Sequence, residues 1–232
     1  MSVKDELIDI IRSIESFVEL QKISGIDDYL KSDPGHLKDA PQTRTQKTEA
    51  LESLEMEVLS CKRCGLCATR NNVVFGSGDP DADLMFVGEA PGHDEDLQGL
   101  PFVGRAGGLL TKIIEAMGLK RKDVYIGNII KCRPPSNRNP LPTEILNCEE
   151  YLIKQVDIIK PKVICTLGKF SAQTLLKTQE PISKLRGNSY SYHGIKLMPT
   201  FHPAYLLRNP AEKIIVWQDM QKIMSVLGLN VK

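Results

Sequence analysis

Apolar residues recur along the chain with two alternating periods. Short apolar runs of strand length lie at residues 84–87, 124–130, 162–167 and 195–200. Apolar positions with helical spacing lie at residues 51–59, 107–117, 143–159, 168–176 and 211–227. Because strands that alternate with helices form parallel sheets covered on both faces, we predict an α/β fold. We expect a three-layer α/β/α sandwich on a short, four-stranded parallel sheet.

The first fifty residues follow a different pattern. Apolar positions within residues 7–18 have helical spacing, with charged residues between them, which predicts an amphipathic helix. Residues 33–47 are rich in proline, glycine, threonine, glutamine and charge, which is typical of a linker. We therefore expect an N-terminal helical extension with its linker over residues 1–50 and a main domain over residues 51–232. A solvated helix is the simpler reading of the extension, and a docking element for replication or repair proteins is the alternative.

Composition narrows the class of protein. The 232 residues are 41% hydrophobic and 25% charged, as in ordinary globular proteins. The formal net charge is only +1, so any surface that binds nucleic acid must come from a local cluster of basic residues. We find no signal peptide and no stretch that could span a membrane. We therefore expect a cytoplasmic protein, not bound to membranes and monomeric, whose cysteines are metal ligands or free thiols instead of disulfides.

Six cysteines form a pattern that indicates a metal site. A Cys-x-x-Cys pair precedes the sheet, one cysteine follows the second strand, and another lies in the next helix; these four are Cys61, Cys64, Cys132 and Cys148. Four thiolates can bind either zinc or an iron–sulfur cluster, and spacing alone does not separate the two. Cys67 is interpreted as a spare. Cys165 lies among apolar neighbours in a strand, which favours a buried and inert thiol.

A loop with candidate chemistry follows the first strand. The strand ends at Gly88-Glu-Ala-Pro-Gly92, because glycine and proline cannot continue it, and three acidic residues follow. In α/β proteins, loops at the carboxyl ends of strands commonly carry the site. The alternative interpretation is a plain strand-to-helix connection with acidic capping residues.

Four short stretches then occur in order: Gly88-Glu-Ala-Pro-Gly92, Leu100-Pro-Phe-Val-Gly-Arg-Ala-Gly107, Asn128-Ile-Ile-Lys-Cys-Arg-Pro-Pro135 and Phe201-His-Pro-Ala-Tyr-Leu-Leu-Arg208. Together they resemble the motifs of the family 4 uracil-DNA glycosylases. The four candidate ligands fall where that family holds a [4Fe-4S] cluster. The resemblance runs from about residue 61 to the last helix and leaves the first fifty residues uncovered. It implies a DNA repair hydrolase that removes uracil from DNA and leaves an abasic site.

The resemblance also implies a set of residues that contact uracil: Gly88, Glu89, Ala90, Gly92, Phe102, Asn128 and His202. Phe102 offers a flat face on which a base can stack, although ordinary core packing is the alternative. The amide of Asn128 can pair with both N3 and O4 of uracil, whereas a structural hydrogen bond to a nearby loop is the alternative.

Catalysis is expected from His202 and Glu89. A neutral imidazole at His202 can donate a hydrogen bond to the uracil anion that leaves, and we prefer it to His93 and His193. Glu89 is the candidate that activates water or steadies the sugar cation. In uracil glycosylases with a Gly-Gln-Asp-Pro-Tyr-His loop the water-handling carboxylate is the third residue, which is Ala90 here, so that role does not transfer. Glu95 is a second candidate, which could instead exclude the methyl group of thymine.

The expected DNA contacts are basic residues near this edge, with leucines that could wedge into the space left by a flipped nucleotide. They are Lys131, Arg133, Arg138, Arg186, Leu206 and Arg208, with Leu207 beside Leu206. We also expect the cluster to shape the loop over residues 131–139. Two other functions stay open: an inactive iron–sulfur module that only binds DNA, and a superfamily relative that acts on other deaminated bases.

Overall fold

The computed structural model of the protein describes residues 42–230. Within them, six strands form one sheet: β1 Ser77–Gly78, β2 Leu84–Gly88, β3 Tyr125–Asn128, β4 Val163–Leu167, β5 Tyr190–Tyr192 and β6 Ile195–Thr200. Their order across the sheet is β1-β3-β2-β4-β6-β5. The four central strands are parallel, as predicted, and the two edge strands are antiparallel to their neighbours. The prediction of four strands is therefore wrong, because the sheet also contains the two edge strands.

Both edge strands lack the apolar runs by which the central strands were recognised. β1 has only two residues, Ser77 and Gly78, neither of which carries a large apolar side chain. β5 pairs with β6 through a two-residue turn at His193 and Gly194, whose φ angles are 48° and 77°. Two central residues with positive φ characterise the tight turn that matches the twist of a β-hairpin. The expectation that His193 lies in a turn is confirmed.

Eight α-helices lie within residues 42–230: α1 Arg44–Leu59, α2 His93–Gln98, α3 Arg105–Ala116, α4 Pro142–Ile159, α5 Lys169–Leu176, α6 Ile182–Leu185, α7 Pro203–Arg208 and α8 Lys213–Leu227. The helix predicted from residue 51 thus begins earlier, inside the predicted linker. Its start is set by Thr43 and Gln46, since each side chain accepts a hydrogen bond from the backbone N–H of the other. The helix predicted within residues 7–18 lies outside the described residues, and the division at residue 50 stays a prediction.

The sheet is the middle of three layers, as predicted. Side chains alternate across β2, so that Met85 and Val87 join one core cluster and Leu84 and Phe86 join the other. Helices α1, α4 and α5 cover the first face, and α3, α7 and α8 cover the second. Because the central strands are covered on both faces, every residue of β2 and β4 is buried. No helix within residues 42–230 is both long and apolar enough to cross a membrane.

Candidate active site and cysteine cavity

The carboxyl ends of three parallel strands bring the predicted loop, amide and imidazole to one edge of the sheet. β2 ends at Gly88, which lies beside Asn128 at the end of β3, and His202 follows β6. A cleft of about 510 Å³ opens there. Its lining includes Glu89, Ala90, Pro91, Gly92, Glu95, Phe102, Asn128, Arg138, His202 and Arg208. Sequence reasoning missed Ala106, Pro134, Asn137, Asn139 and Ala204, which also line the cleft.

Gly88 lies behind Asn128 and Phe102 and does not itself line the cleft, so its expected contact with uracil stays a prediction. A Cβ atom built on Gly88 would lie 2.4 Å from Oδ1 of Asn128 and 2.7 Å from Cζ of Phe102. Atoms of two other side chains therefore fill the space that any side chain at residue 88 would need. Glycine is required here because it allows the amide and the aromatic ring to meet over the backbone.

Asn128 presents an unused hydrogen-bonding group. The residue is only 2% exposed, and Oδ1 has no hydrogen-bond partner among the described residues. A buried polar atom without a partner costs free energy, so such atoms are rare outside functional sites. Because the oxygen and nitrogen of an amide can be exchanged by a half-turn, the side chain can offer one acceptor and one donor to a ligand in the cleft.

Phe102 has a strained backbone at the cleft wall. Its φ angle is 53°, which is uncommon for a residue other than glycine. Helix α3 contacts this backbone so closely that a Cβ atom on Gly107 would lie 1.8 Å from the carbonyl oxygen of Phe102. The ring is 7% exposed and belongs to the core beside α3, while its centroid lies 5.6 Å from that of His202. Phe102 therefore packs in the core and also lines the cleft, so the two alternatives considered for it are both true.

The tautomer of His202 follows from its hydrogen bond. Its Nδ1 accepts the backbone N–H of Ala204 at 3.0 Å, so in the neutral ring Nε2 carries the proton. Burial, and to a lesser degree nearby Arg208, lowers the pKa of His202 to about 4, while Glu95 opposes the shift. The imidazole is therefore neutral at physiological pH and offers one N–H donor.

Glu89 lies partly buried in the loop that follows β2. Burial raises its pKa to about 7, because the charged carboxylate loses hydration. A carboxyl group that titrates near neutrality inside a cleft is suited to accept or donate a proton during a reaction. Glu89 and His202 are thus opposite in kind: one titrates near pH 7, and the other stays neutral.

Glu95 ties two loops of the cleft together. Its carboxylate accepts backbone N–H groups from Gly92 at 3.1 Å and from Val103 and Gly104 at 3.0 Å. Both oxygens are therefore engaged, and this bonding fixes the loop after β2 against the loop that carries Phe102. Its expected part in excluding thymine stays a prediction.

Two of the expected DNA-contacting arginines, Arg138 and Arg208, line the cleft, and a third, Arg133, contacts a residue of its lining. Arg208 is exposed, and Arg138 is exposed while forming a bidentate pair with Glu144, at 2.6 Å and 2.9 Å. Arg133 donates to Oδ1 of Asn137 at 2.7 Å, and its Nη1 lies 3.0 Å from Nδ1 of His93. These side chains form a local basic cluster in a chain of nearly neutral net charge.

Burial contradicts two other expected DNA contacts. Lys131 is 1% exposed, and its ammonium group donates to the carbonyl oxygen of Asn128 at 2.8 Å and to Oε1 of Gln155 at 2.6 Å. Leu206 is fully buried in the core between α3 and α8, so it cannot insert into DNA. Arg186 is partly buried and pairs with Asp219, and its contact with DNA stays a prediction. The sequence motif suggested that these basic and apolar side chains are exposed, but packing in the folded protein determines how far each one is buried.

The cysteines meet at a second cavity, beside the end of α1. Its lining includes Cys61, Cys64, Cys67, Cys132 and Cys148. Cys165 lies apart from it, fully buried in β4, as predicted. Cys67 lines the same cavity as the four expected ligands, so position alone does not make it a spare. Within residues 42–230, no group of three or more His, Cys, Asp or Glu side chains is arranged to hold a single metal ion.

Hydrogen-bond donors point at the thiols of this cavity. Arg70 Nη1 donates to Sγ of Cys132 at 3.1 Å, and the backbone N–H of Lys131 donates to Sγ of Cys148 at 3.3 Å. N–H groups and a guanidinium beside sulfur stabilise thiolates more than neutral thiols. Sequence reasoning missed Arg70, since nothing in its immediate neighbours marks it as a partner of a cysteine sixty-two residues later.

Several known proteins that are similar to this chain share one activity in their names. The profile of the uracil DNA glycosylase superfamily matches residues 75–221. A type-4 uracil-DNA glycosylase of Sulfurisphaera tokodaii is 47% identical over 77% of this chain and 85% of its own length. Proteins of the same name are 42% identical in Archaeoglobus fulgidus, over 78% and 94%, and 44% identical in Thermotoga maritima, over 78% and 96%. The chain therefore belongs to the uracil DNA glycosylase superfamily, among its type-4 uracil-DNA glycosylases.

Proposed function

We propose that this protein is a DNA repair hydrolase that cleaves the N-glycosidic bond of uracil in DNA and leaves an abasic site. The observation that carries the proposal is the unpartnered amide of Asn128, buried at the floor of a cleft that Phe102 and His202 also line. An enzyme that acts on a base must take it out of the stack into such a pocket. The strongly similar type-4 relatives support the same activity.

Asn128 reads the edge of the base. Uracil presents an N–H donor at N3 and an acceptor at O4, which match the oxygen and nitrogen of an amide. Cytosine presents the reverse pattern at these positions, and one amide orientation cannot pair with it without leaving a buried group unsatisfied. Phe102 supplies the surface on which the ring of the base stacks.

His202 stabilises the leaving group. When the bond between C1′ of the sugar and N1 of uracil breaks, both bonding electrons go to uracil, and negative charge develops largely at O2. The Nε2–H of a neutral imidazole can donate to this oxygen without giving up the proton. The low pKa of His202 and the hydrogen bond at its Nδ1 both support this state.

Glu89 handles the attacking water. As the glycosidic bond opens, a water oxygen adds to C1′, and the ionised carboxylate of Glu89 accepts the proton that the water loses. The raised pKa of Glu89 makes it a stronger base than an exposed glutamate while it stays partly ionised at pH 7. Glu89 lines the cleft in the loop that follows β2, which supports a carboxylate from this loop in the role.

The cysteine cavity is proposed to hold a [4Fe-4S] cluster bound by Cys61, Cys64, Cys132 and Cys148. An all-sulfur set of donors with N–H groups aimed at the sulfurs fits such a cluster. The group would serve as a structural cross-link and would take no part in bond cleavage. Residues 131–139 connect the two sites, because Cys132 lines the cavity and Asn137 and Arg138 line the cleft. Purified protein is expected to be brown; a colourless protein that contains zinc would contradict the cluster.

Further expectations concern location and partners. The described cysteines are free thiols, which supports a reducing, cytoplasmic setting. Arg138 and Arg208 at the mouth of the cleft support binding of the phosphate backbone. The monomeric state and the contact of residues 1–50 with replication or repair proteins stay predictions.

Uracil release is the direct test of this function. An oligonucleotide with one uracil should become alkali-labile on incubation, while the matched thymine oligonucleotide should not. His202→Asn should lower the rate about 100- to 1,000-fold, because asparagine keeps the cap on Ala204 but cannot place the same donor. His193→Asn, at the opposite end of β6, is the matched control and should cleave normally. DNA binding without uracil release by the wild-type protein would favour the inactive module instead.

A further inference from the structure

A second groove adjoins the uracil cleft. It has a volume of about 670 Å³ and shares two wall residues with the cleft, Glu89 and His202. It lies between the segment that follows β4, helix α6 and helix α7. The two compartments therefore adjoin at the reacting groups, and the conversion of uracil as proposed uses only the first.

Aromatic rings dominate the second groove. Phe170, Phe201 and Tyr205 all line it, and each is only partly buried. Phe201 and Tyr205 contact each other with centroids 4.9 Å apart. Phe201 and Tyr205 also pack against the core, and the part of each ring that stays exposed is available to a ligand in the groove.

Both basic and acidic side chains line the groove: Lys169 and Arg186 occur beside Glu89 and Glu212. Lys169 is exposed, and its ammonium group lies 5.5 Å from the centroid of the Phe170 ring. The guanidinium of Arg186 lies 5.8 Å from the ring centroid of Phe201 while it pairs with Asp219. Aromatic rings with a cation beside them are the combination with which proteins bind unpaired bases and the phosphates between them, and the position of this groove next to the uracil cleft favours a strand of nucleic acid.

We propose that this groove binds an unpaired nucleobase of the DNA strand next to the flipped uracil, stacked on Phe170. The inference rests on the proposed function, because the strand enters the groove from the uracil cleft past Glu89 and His202. It extends that function by making one flanking nucleotide part of the recognised substrate. A base stacked in this way must be out of the duplex, so the groove favours single-stranded or locally opened DNA.

The test uses wild-type protein and single-stranded substrates whose flank grows by one nucleotide at a time, on the 5′ or the 3′ side of uracil. We expect kcat/KM to rise in one step of about tenfold, on one side only, when the flank first reaches the groove. Replacing that nucleotide by an abasic sugar phosphate should remove the step, because the base and not the phosphate is bound.

Variants test whether the rise in kcat/KM comes from this groove. Phe170→Ala should lose the rise while cleaving the unflanked substrate normally, and Phe170→Trp should retain it. Leu146→Ala, which changes an exposed apolar residue on α4, is the control and should behave as wild type. A step that survives both the abasic nucleotide and Phe170→Ala would overturn the proposal. A rate that never depends on the flanking nucleotides would also overturn the proposal, and is the result expected if another part of the chain or a second copy fills the groove. If the proposed function itself is wrong, the result is different, because no substrate then releases uracil.

Discussion

At the scale of single residues, the cleft is formed by side chains at the ends of parallel strands, and Asn128 and His202 are placed together because such strands end at one edge of the sheet. The support of the cleft comes from more distant residues: Lys131, next to the base-reading strand, is held by Gln155 of α4, a partner that no local sequence pattern indicates. In the short helix α7, likewise, only the packing of α3 and α8 decides that Leu206 is buried.

Glu89 should control the dependence of catalysis on pH. Because the ionised carboxylate is the base, kcat/KM should rise with pH and level off above about 7, the raised pKa of Glu89. His202, with a pKa of about 4, should add no limb between pH 5 and 8. Glu89→Gln should lower kcat about 100- to 1,000-fold and abolish the limb near pH 7. A limb that remains in the glutamine variant would assign the base to another residue.

Lys131 should act as a structural support of the base-reading strand. Lys131→Met keeps the length of the side chain but leaves the carbonyl oxygen of Asn128 and Oε1 of Gln155 without this donor. Each buried unsatisfied acceptor costs about 1–3 kcal/mol, so the thermal midpoint should fall by several degrees. Lys162→Met, which removes an exposed pair with Asp83, is the control and should shift it far less. Equal shifts in the two variants would contradict the support role.

At the scale of elements, periodicity sufficed where an element buries a large apolar face. The four central strands are covered on both faces, and the long helices α3, α4 and α8 each bury one face in the core. β1 and β5 were missed because edge strands need few apolar residues, and their pairing depends on the partner strand. The start of α1 was missed because it depends on a capping interaction between two polar residues and not on apolar spacing.

The cysteine cavity joins elements that are distant in sequence, and replacing its ligands should loosen that junction. Cys148→Ser, on α4, should reduce the visible absorption of the purified protein and lower its thermal midpoint, because the link between α4 and the segment with Cys61 weakens. Cys67→Ser is the matched control, since this residue lines the same cavity and should leave the absorption unchanged. Loss of the absorption in Cys67→Ser alone would show that the four ligands are wrongly assigned.

At the scale of the whole molecule, a nearly neutral protein concentrates its chemistry at one edge of the sheet. The net charge is +1, so we expect attraction to DNA to depend on arginines around the cleft and not on the overall field. Three strand ends supply the loop, the amide and the imidazole, while α3 holds Phe102 in place. We therefore propose, as the central claim, that this edge recognises uracil through Asn128.

The most direct measurement of that claim is base release from three oligonucleotides that differ only in one uracil, cytosine or thymine. Wild-type protein should release uracil alone. Asn128→Asp should release uracil more slowly and gain measurable activity on cytosine, because a carboxyl group can accept from the amino group of cytosine and, when protonated, donate to its N3. Unchanged selectivity in Asn128→Asp would contradict the claim that Asn128 reads the base.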